Sequence, residues 1–207
     1  MILFALHQIR TVQSNGLIVF CGNIGSGKDF MALELVNGRI NYIFDLGAGA
    51  RTVSAGHDPT APLNDDLWHR VSVVRSTLSE HVIRVDDDVT ADHLLDGRSL
   101  FFDTGEELYI GGVPEYAYNT LPKQIRSRDG FRGCLADVQL DRRSVSLLEH
   151  PIGIPKTHRK HITSGCENPA DGQQDEGRSV RHSIQKIIHC YWLHYPLDVG
   201  RAPVTQL

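Results

Sequence analysis

Short runs of alternating apolar and polar residues, separated by turn-forming residues, dominate the chain from Val12 to about Leu140. The run from Trp68 to Arg75 places Val71 and Val73 on one face, and the segment from Cys134 to Leu140 has the same period of two. This period is that of a strand with one buried face, and many such runs broken by turns are typical of a β-sandwich or a β-barrel. The sequence therefore predicts an all-β fold of two packed sheets.

One hairpin is indicated by its turn residues. Asn37-Gly38 separates the apolar runs Phe30 to Leu35 and Ile40 to Leu46. Asn-Gly is the dipeptide that most readily supplies the two positive-φ positions of a type I′ turn. We expect the two runs to pair as antiparallel strands.

Composition excludes several classes of protein. Of the 207 residues, 41% are apolar and 22% are charged, as in an ordinary globular chain. The formal net charge of −4 offers no broad basic surface, so nucleic acid is not an expected partner. No apolar run approaches the roughly 18 residues that a membrane-spanning helix needs, so no span is expected within this chain. The apolar start, Met1 to Leu6, is short and has no basic leader, so no signal peptide is predicted.

The pattern is lost beyond Cys166, which divides the chain into a domain at residues 12–166 and a linker or tail at 167–207. Residues 167–177 are polar and rich in Asp, Gln and Gly, which favours disorder. The apolar residues between Ile184 and Leu193 are compatible with one short amphipathic helix that is too short to fold alone.

A glycine-rich segment at residues 22–28 is the sharpest enzyme signal. It matches the nucleotide-binding pattern G-x-x-x-x-G-K and ends at Lys28. The next residue is Asp29, where a metal-binding Ser or Thr is required, and a carboxylate there would repel phosphates. Asn37-Gly38 also leaves too little room for the crossover helix that parallel strands need. A glycine-rich hairpin loop is therefore favoured, and nucleotide binding at 22–28 is a remote alternative.

Other enzyme signals are weaker, and we expect a protein that is not an enzyme. The spacing of the candidate zinc ligands fits neither a structural nor a catalytic zinc site; these are His182, His189, Cys190 and His194. His69 follows Trp68 at the start of a strand and has no recognisable nucleophile near it in sequence, so a catalytic role is not favoured.

A set of segments carries a family resemblance through its order along the chain. The segments are Ser14-Asn15-Gly16-Leu17-Ile18-Val19-Phe20, Asp29-Phe30-Met31-Ala32-Leu33-Glu34-Leu35-Val36-Asn37-Gly38, Phe44-Asp45-Leu46-Gly47, Leu67-Trp68-His69-Arg70-Val71, Leu108-Tyr109-Ile110-Gly111-Gly112 and Phe131-Arg132-Gly133-Cys134-Leu135. Together they resemble a laminin G-like domain, also called an LNS domain, and are most similar to the domains of neurexin-type proteins.

The resemblance implies a fold and a type of function. The fold is an antiparallel jelly-roll β-sandwich of the concanavalin-like kind. The function is an extracellular or cell-surface binding module in adhesion, synaptic or matrix contacts, with protein or glycan partners. The ectodomain of a membrane protein is one form that such a module takes. A carrier of a small apolar, steroid-like ligand between the sheets is the alternative, and it would need a cavity in place of a packed core.

The resemblance also implies one calcium ion at the rim of the sandwich. Its side-chain ligands fall at Asp29 and Asp103, and its backbone carbonyl ligands fall at Leu46 and Phe101. Two carboxylates brought together repel unless a cation lies between them, and calcium prefers oxygen ligands. With two charged ligands, we expect a dissociation constant on the order of 10⁻⁴ to 10⁻³ M. The competing interpretation is that both aspartates are solvated loop residues at strand ends.

Further expectations concern cysteines, loops and individual side chains. The family's terminal disulfide corresponds to Cys134 and Cys166, which leaves Cys21 and Cys190 unpaired. Trp68 is expected in the core. Specificity is expected in the loops Gly47 to Asp66 and Tyr116 to Asp129, with basic residues that suit an acidic partner; these are Lys123, Arg126 and Arg128. Solvated turn positions are expected at Asp45, Asp65, Asp66, Asp86, Asp87 and Asp88.

The chain also departs from the family at its start. A complete domain has one or two further strands before Asn15-Gly16, and residues 1–14 do not carry the expected pattern. We therefore expect an N-terminally truncated domain that lacks an edge strand of each sheet, and an uncovered edge is a template for pairing.

Overall fold

The computed structural model describes residues 3–25, 29–55, 61–75, 80–93, 107–140, 143–144, 159–160 and 185–189. These residues form strands and one short 3-10 helix. The elements are β1 (Leu3–Arg10), β2 (Gly16–Gly22), β3 (Phe30–Val36), β4 (Arg39–Asp45), β5 (Arg51–Ala55), β6 (His69–Arg75), β7 (Glu80–Val85), β8 (Asp88–His93), β9 (Glu107–Ile110), η1 (Glu115–Thr120), β10 (Cys134–Leu140), β11 (Arg143–Ser144), β12 (Arg159–Lys160) and β13 (Gln185–His189).

The described strands assemble into two antiparallel sheets. The six-stranded sheet has the order β11-β10-β1-β6-β7-β8, and the seven-stranded sheet has the order β12-β13-β9-β2-β3-β4-β5. The predicted all-β sandwich is thus confirmed. No helix in the described ranges is both long and apolar enough to cross a membrane.

Strand β1 lies ahead of the expected domain start at residue 12. It pairs with β10 on one side and with β6 on the other, so it occupies the interior of the six-stranded sheet. Residues 3–10 thus contribute a strand to the sandwich, although residues 1–14 were expected not to carry the family's pattern. Residues 1–6 are continuously apolar, and a run without a period does not distinguish a strand from other buried structure.

The hairpin predicted from Asn37-Gly38 is confirmed. Strands β3 and β4 pair from Phe30↔Asp45 to Val36↔Arg39, which leaves two residues in the turn. Asn37 has φ 51° and Gly38 has φ 73°, as a type I′ turn requires.

The main core lies between the two sheets. On β6 the predicted inward residues Val71 and Val73 are buried, whereas Trp68 precedes the strand and is only half-buried, so its assignment to the core is wrong. An aromatic stack joins β4 to β7: the rings of Phe44 and His81 are nearly parallel, with centroids 4.0 Å apart. Packing of this kind in the interior contributes dispersion energy over many contacts.

A second apolar cluster covers the outer face of the seven-stranded sheet. It joins strand residues to the segment around η1, and its members are Leu17, Phe20, Phe30, Ala32, Ile43, Tyr109, Val113, Ala117, Leu121 and Ile125. The central strands are therefore buried on both faces, which explains why β2 is buried along its entire length.

Residues 185–189 form a strand, where an amphipathic helix was one expectation for the tail. Strand β13 pairs with β9, from Lys186↔Ile110 to His189↔Glu107. The β-branched Ile187 and Ile188 favour a strand, and the edge of β9 offers backbone groups for pairing. The disorder predicted for residues 167–177 falls outside the described residues.

Candidate functional site

The structure brings two of the four predicted calcium ligands together. The β3–β4 ladder ends at the pair Phe30↔Asp45. Because the strands are antiparallel, Asp29 and Leu46 are the next two residues at the same end of neighbouring strands. Asp29 is half-buried, and the Leu46 side chain is buried in the core. A carboxylate and a backbone carbonyl therefore lie at one rim of the sandwich.

The Asp45 side chain fixes the path of the backbone after Leu46. Its Oδ1 accepts hydrogen bonds from the backbone N–H groups of Gly47 at 2.9 Å and Gly49 at 3.1 Å. The carboxylate thereby stabilises a tight turn directly beyond the Leu46 carbonyl. Asp45 is a turn residue, as predicted from the sequence, and it fixes the path of the chain at the rim.

These donors fit calcium in kind. Carboxylate and carbonyl oxygens are the hard ligands that calcium prefers, and an extracellular site completes its shell with water. The other predicted ligands, Phe101 and Asp103, lie outside the described residues. Within the described part of the chain no group of three or more His, Cys, Asp and Glu side chains is placed to hold a metal.

Both described cysteines are disulfide-bonded. Cys21 and Cys134 each take part in a disulfide, and no cysteine in the described ranges is free. The expectation that Cys21 stays unpaired is therefore wrong. Cys166 and Cys190 lie outside the described residues, so the pairing of Cys134 with Cys166 stays a prediction.

The two strands that flank the glycine-rich segment pair with each other. Strands β2 and β3 are antiparallel and pair as far as Gly22↔Phe30. The strand that follows the motif therefore returns beside the preceding strand, where a nucleotide-binding loop requires a helix. This strand arrangement is that of a hairpin, as the sequence predicted.

A buried carboxylate anchors the predicted partner loop around residues 116–129. Glu34 is completely buried in β3. Its Oε2 accepts hydrogen bonds from the backbone N–H groups of Arg126 at 2.9 Å and Ser127 at 2.7 Å. The Ser127 hydroxyl donates to the Leu35 carbonyl at 2.9 Å. The loop is thus fixed to the outer face of the sheet by polar contacts as well as by the second apolar cluster.

The side chains that this loop presents outward include cations and an aromatic ring. Lys123, Arg126 and Arg128 are exposed, and Tyr116, at 77%, is the most exposed large apolar side chain among the residues that the structure describes. Tyr and Arg are residues that often dominate binding energy at interfaces, and a loop held in one conformation loses less entropy on binding. The arrangement suits recognition of an acidic partner.

Sequence reasoning missed Glu34, although a signal was present. Glu34 interrupts an apolar strand between Leu33 and Leu35. A charged side chain inside a fully buried strand is rare unless it is paired, so its position alone indicates a specific partner. The partner is the backbone of the loop at Arg126, which is ninety-two residues away in sequence and therefore has no local signal.

Charged residues at the opposite sheet form a second polar cluster. The Arg10 guanidinium donates to both carboxylate oxygens of Asp66, at 2.9 and 3.0 Å. His69 lies between Asp65 and Asp86, with ring nitrogens 2.9 and 2.8 Å from their oxygens. The sequence left these three aspartates as solvated turn residues; they are exposed or partly exposed, but each is engaged in specific hydrogen bonds.

Comparison with known proteins then decides the family. A laminin G domain family model matches residues 9–143. The chain belongs to the laminin G domain family. Neurexin-2 from Mus musculus and Neurexin-2 from Homo sapiens are each 39% identical to this chain over 166 residues, which covers 79% of this chain and 9% of the relative. The laminin G chain therefore spans about a tenth of the length of these relatives.

Solved structures agree on the fold. The LG4-5 domains of the mouse laminin alpha1 chain match with a TM-score of 0.52 and 26% identity, covering 70% of this chain and 37% of that chain. The LG1-3 region of the laminin alpha2 chain matches with a TM-score of 0.60 and 22% identity, covering 78% of this chain and 35% of that chain. Family membership supports an adhesion or recognition module, in agreement with the expectation from sequence.

Proposed function

We propose that this laminin G domain is an extracellular or cell-surface module that binds a protein or glycan partner in a calcium-dependent way. The calcium ligands are the Asp29 and Asp103 carboxylates and the Leu46 and Phe101 carbonyls. The observation that carries the proposal is the placement of Asp29 beside Leu46 at the end of the β3–β4 ladder. Oxygen donors at a sandwich rim are suited to a hard cation.

The proposed partner surface consists of the loop that follows Leu46 at the rim and the loop around residues 116–129. Residues 47–55 follow directly from the Leu46 carbonyl, and the loop anchored by Glu34 presents Lys123, Arg126 and Arg128. An acidic protein or glycan is the chemistry that these cations favour.

Linkage between calcium binding and folding tests the proposal. A ligand bound only by the folded state stabilises the folded state by about 1.4 kcal/mol when its concentration is ten times the dissociation constant. Thermal unfolding of the full chain should therefore shift upward from excess EDTA to several millimolar calcium. Asp29→Ala and Asp103→Ala should each abolish the shift, whereas Asp87→Ala, which removes an exposed acid from the other sheet, should retain it.

Two results would count against the proposal. Cooperative unfolding that is unaffected by calcium would make Asp29 and Asp103 ordinary loop residues. An equal calcium shift in Asp29→Ala and in the wild-type chain would locate the cation elsewhere.

A further inference from the structure

His69 is held between two carboxylates that belong to different parts of the chain. Its Nε2 lies 2.9 Å from Asp65 Oδ1, in the segment before β6, and its Nδ1 lies 2.8 Å from Asp86 Oδ2, in the turn between β7 and β8. The imidazole therefore joins the segment 61–68 to the β7–β8 turn.

Only the protonated ring satisfies both contacts. Neutral imidazole has one N–H group, so one of its nitrogens would present a lone pair to a carboxylate oxygen within 3 Å. The imidazolium donates from both nitrogens and places its positive charge between two negative charges. Whether His69 can donate to both carboxylates therefore depends on a single proton.

The two carboxylates cannot turn away without losing further hydrogen bonds. Asp65 Oδ1 accepts from the backbone N–H of Leu67 at 2.9 Å, and Asp86 Oδ1 accepts from that of Arg70 at 2.7 Å. The Asp86 N–H in turn donates to the Arg70 carbonyl at 2.8 Å, and Asp86 has φ 51°. Each acid is therefore fixed where it faces His69.

Other charged residues lie on the elements that pair with β6 or adjoin it. They are Arg10 on β1, Asp66 before β6, Arg70 on β6, Arg84 on β7, and Asp87 and Asp88 in and after the β7–β8 turn. Arg10 is paired with Asp66, so its positive charge is already balanced. Burial lowers the pKa of His69, but hydrogen bonds to Asp86 and Asp65 and the charges of these acids raise it more, so the pKa lies above its ordinary value of 6.5.

We propose that His69 is a proton-dependent clamp: its imidazolium form locks the segment 61–68 onto the β7–β8 turn, and loss of the proton breaks that link, while the Arg10–Asp66 pair still holds the segment to β1. The segment presents Leu67, which is 62% exposed. Its Asp66 N–H donates to the Thr11 carbonyl at 3.1 Å. Regulation of partner binding by the clamp rests on the proposed function, because residues 61–66 end one of the proposed partner loops; the clamp itself does not.

The direction of the pH dependence follows from linkage. A group whose pKa is raised by folding contributes stability that is fully present below its ordinary value of 6.5 and is lost as the pH rises through the folded value. The clamp is therefore closed in mildly acidic solution and opens toward alkaline pH.

The Leu67 and Arg70 amides report on the clamp, because they donate to the same two carboxylates. Hydrogen exchange at these amides, corrected for the intrinsic pH dependence of exchange, should show severalfold lower protection above the His69 titration than below it. The titration itself is followed by NMR of the imidazole in the full chain. Asp86→Asn should lower the His69 pKa and remove the pH dependence at Leu67, and Asp65→Asn should do the same at Arg70.

Asp87→Asn is the matched control, because it removes the same charge one residue away from Asp86 and should leave both readouts as in the wild-type chain. Protection that does not change through the His69 titration in a folded wild-type protein would overturn the proposal. So would an Asp86→Asn variant that keeps the wild-type pKa and pH dependence. All measurements are made in EDTA without a partner, so absence of calcium binding or of partner binding does not affect them.

Discussion

At the scale of single residues, two charged side chains, Glu34 and Arg10, organise segments that are distant in sequence. Glu34 holds the loop at Arg126 and Ser127, and Arg10 holds the segment at Asp66. The Glu34 contacts are hydrogen bonds from neutral amides to a buried carboxylate, which are stronger than bonds between neutral groups. Removing one partner of such a set leaves buried donors without an acceptor, and that loss costs more than the bond itself contributes.

Glu34→Ala is therefore expected to lower the free energy of unfolding by about 2 to 4 kcal/mol, since it leaves two backbone N–H groups without their acceptor. Urea unfolding of the full chain measures the change. Glu115→Ala, which removes an exposed carboxylate from the first turn of η1, should stay within about 0.5 kcal/mol of the wild-type chain. Equal stability of Glu34→Ala and Glu115→Ala would mean that Glu34 is not an anchor.

At the scale of elements, η1 and the loop after it act as a third layer over the seven-stranded sheet. Val113, Ala117, Leu121 and Ile125 point into the second apolar cluster, while the polar residues between them face water. The spacing of about four residues suits a chain that crosses the sheet with one side buried. This layer gives the proposed partner loop a rigid base.

Ile125→Ala tests the layer. The side chain is completely buried, so its truncation should cost about 2 to 4 kcal/mol through lost burial and the cavity left behind. Chemical unfolding gives the value, and Val89→Ala, at a side chain that is 56% exposed, is the control expected to change stability little. A loss below about 0.5 kcal/mol for Ile125→Ala would show that the layer is loosely packed.

At the scale of the whole molecule, ionisable side chains near the start of β6 make the free energy of unfolding depend on pH in opposite directions. The hydrogen bond from Arg10 lowers the pKa of Asp66, although burial raises it. Burial raises the pKa of Asp65, but hydrogen bonds from His69 and the Leu67 amide lower it more, so the net direction is down. The pKa of His69 is raised, as argued above.

These shifts predict that this cluster stabilises the folded state most in mildly acidic solution. The aspartates contribute stability that is present above their ordinary pKa of 3.8 and is lost as the pH falls through their lower folded values. His69 contributes stability that is present below 6.5 and is lost as the pH rises through its folded value. The contribution of this cluster should therefore be greatest between pH 3.8 and 6.5.

Urea unfolding of the wild-type chain and of His69→Gln across this range measures the contribution of the cluster as a difference. The difference should be largest between the two pH values and should shrink toward alkaline pH. A difference that is constant with pH would show that His69 makes the same contribution in both protonation states.

Local features of the molecule were predictable from the sequence. The alternation in β6, the Asn37-Gly38 turn and the glycine-rich connection at residues 22–28 each depend on neighbours a few residues away. The ordered segments were sufficient for the family resemblance, and that resemblance, not periodicity, supplied Asp29 and Leu46 as predicted ligands; their place at the same end of neighbouring strands comes from the structure.

The tertiary structure alone determined the contacts between segments that are distant in sequence. The place of β1 inside the six-stranded sheet, the burial of the central strands on both faces and the contact of Glu34 with Arg126 have no local signature. The pairing of Arg10 with Asp66 and the position of His69 between Asp65 and Asp86 are of the same kind. The sequence by itself determined the strands that carry a local pattern, such as β6, because the backbone imposes a period of two on any half-buried strand. Strands β1 and β13 carry no such pattern and depend on their partners in the sheets. Which strands, layers and charges meet was decided by packing of the whole chain, because burial and hydrogen bonding reward contacts irrespective of their separation in sequence.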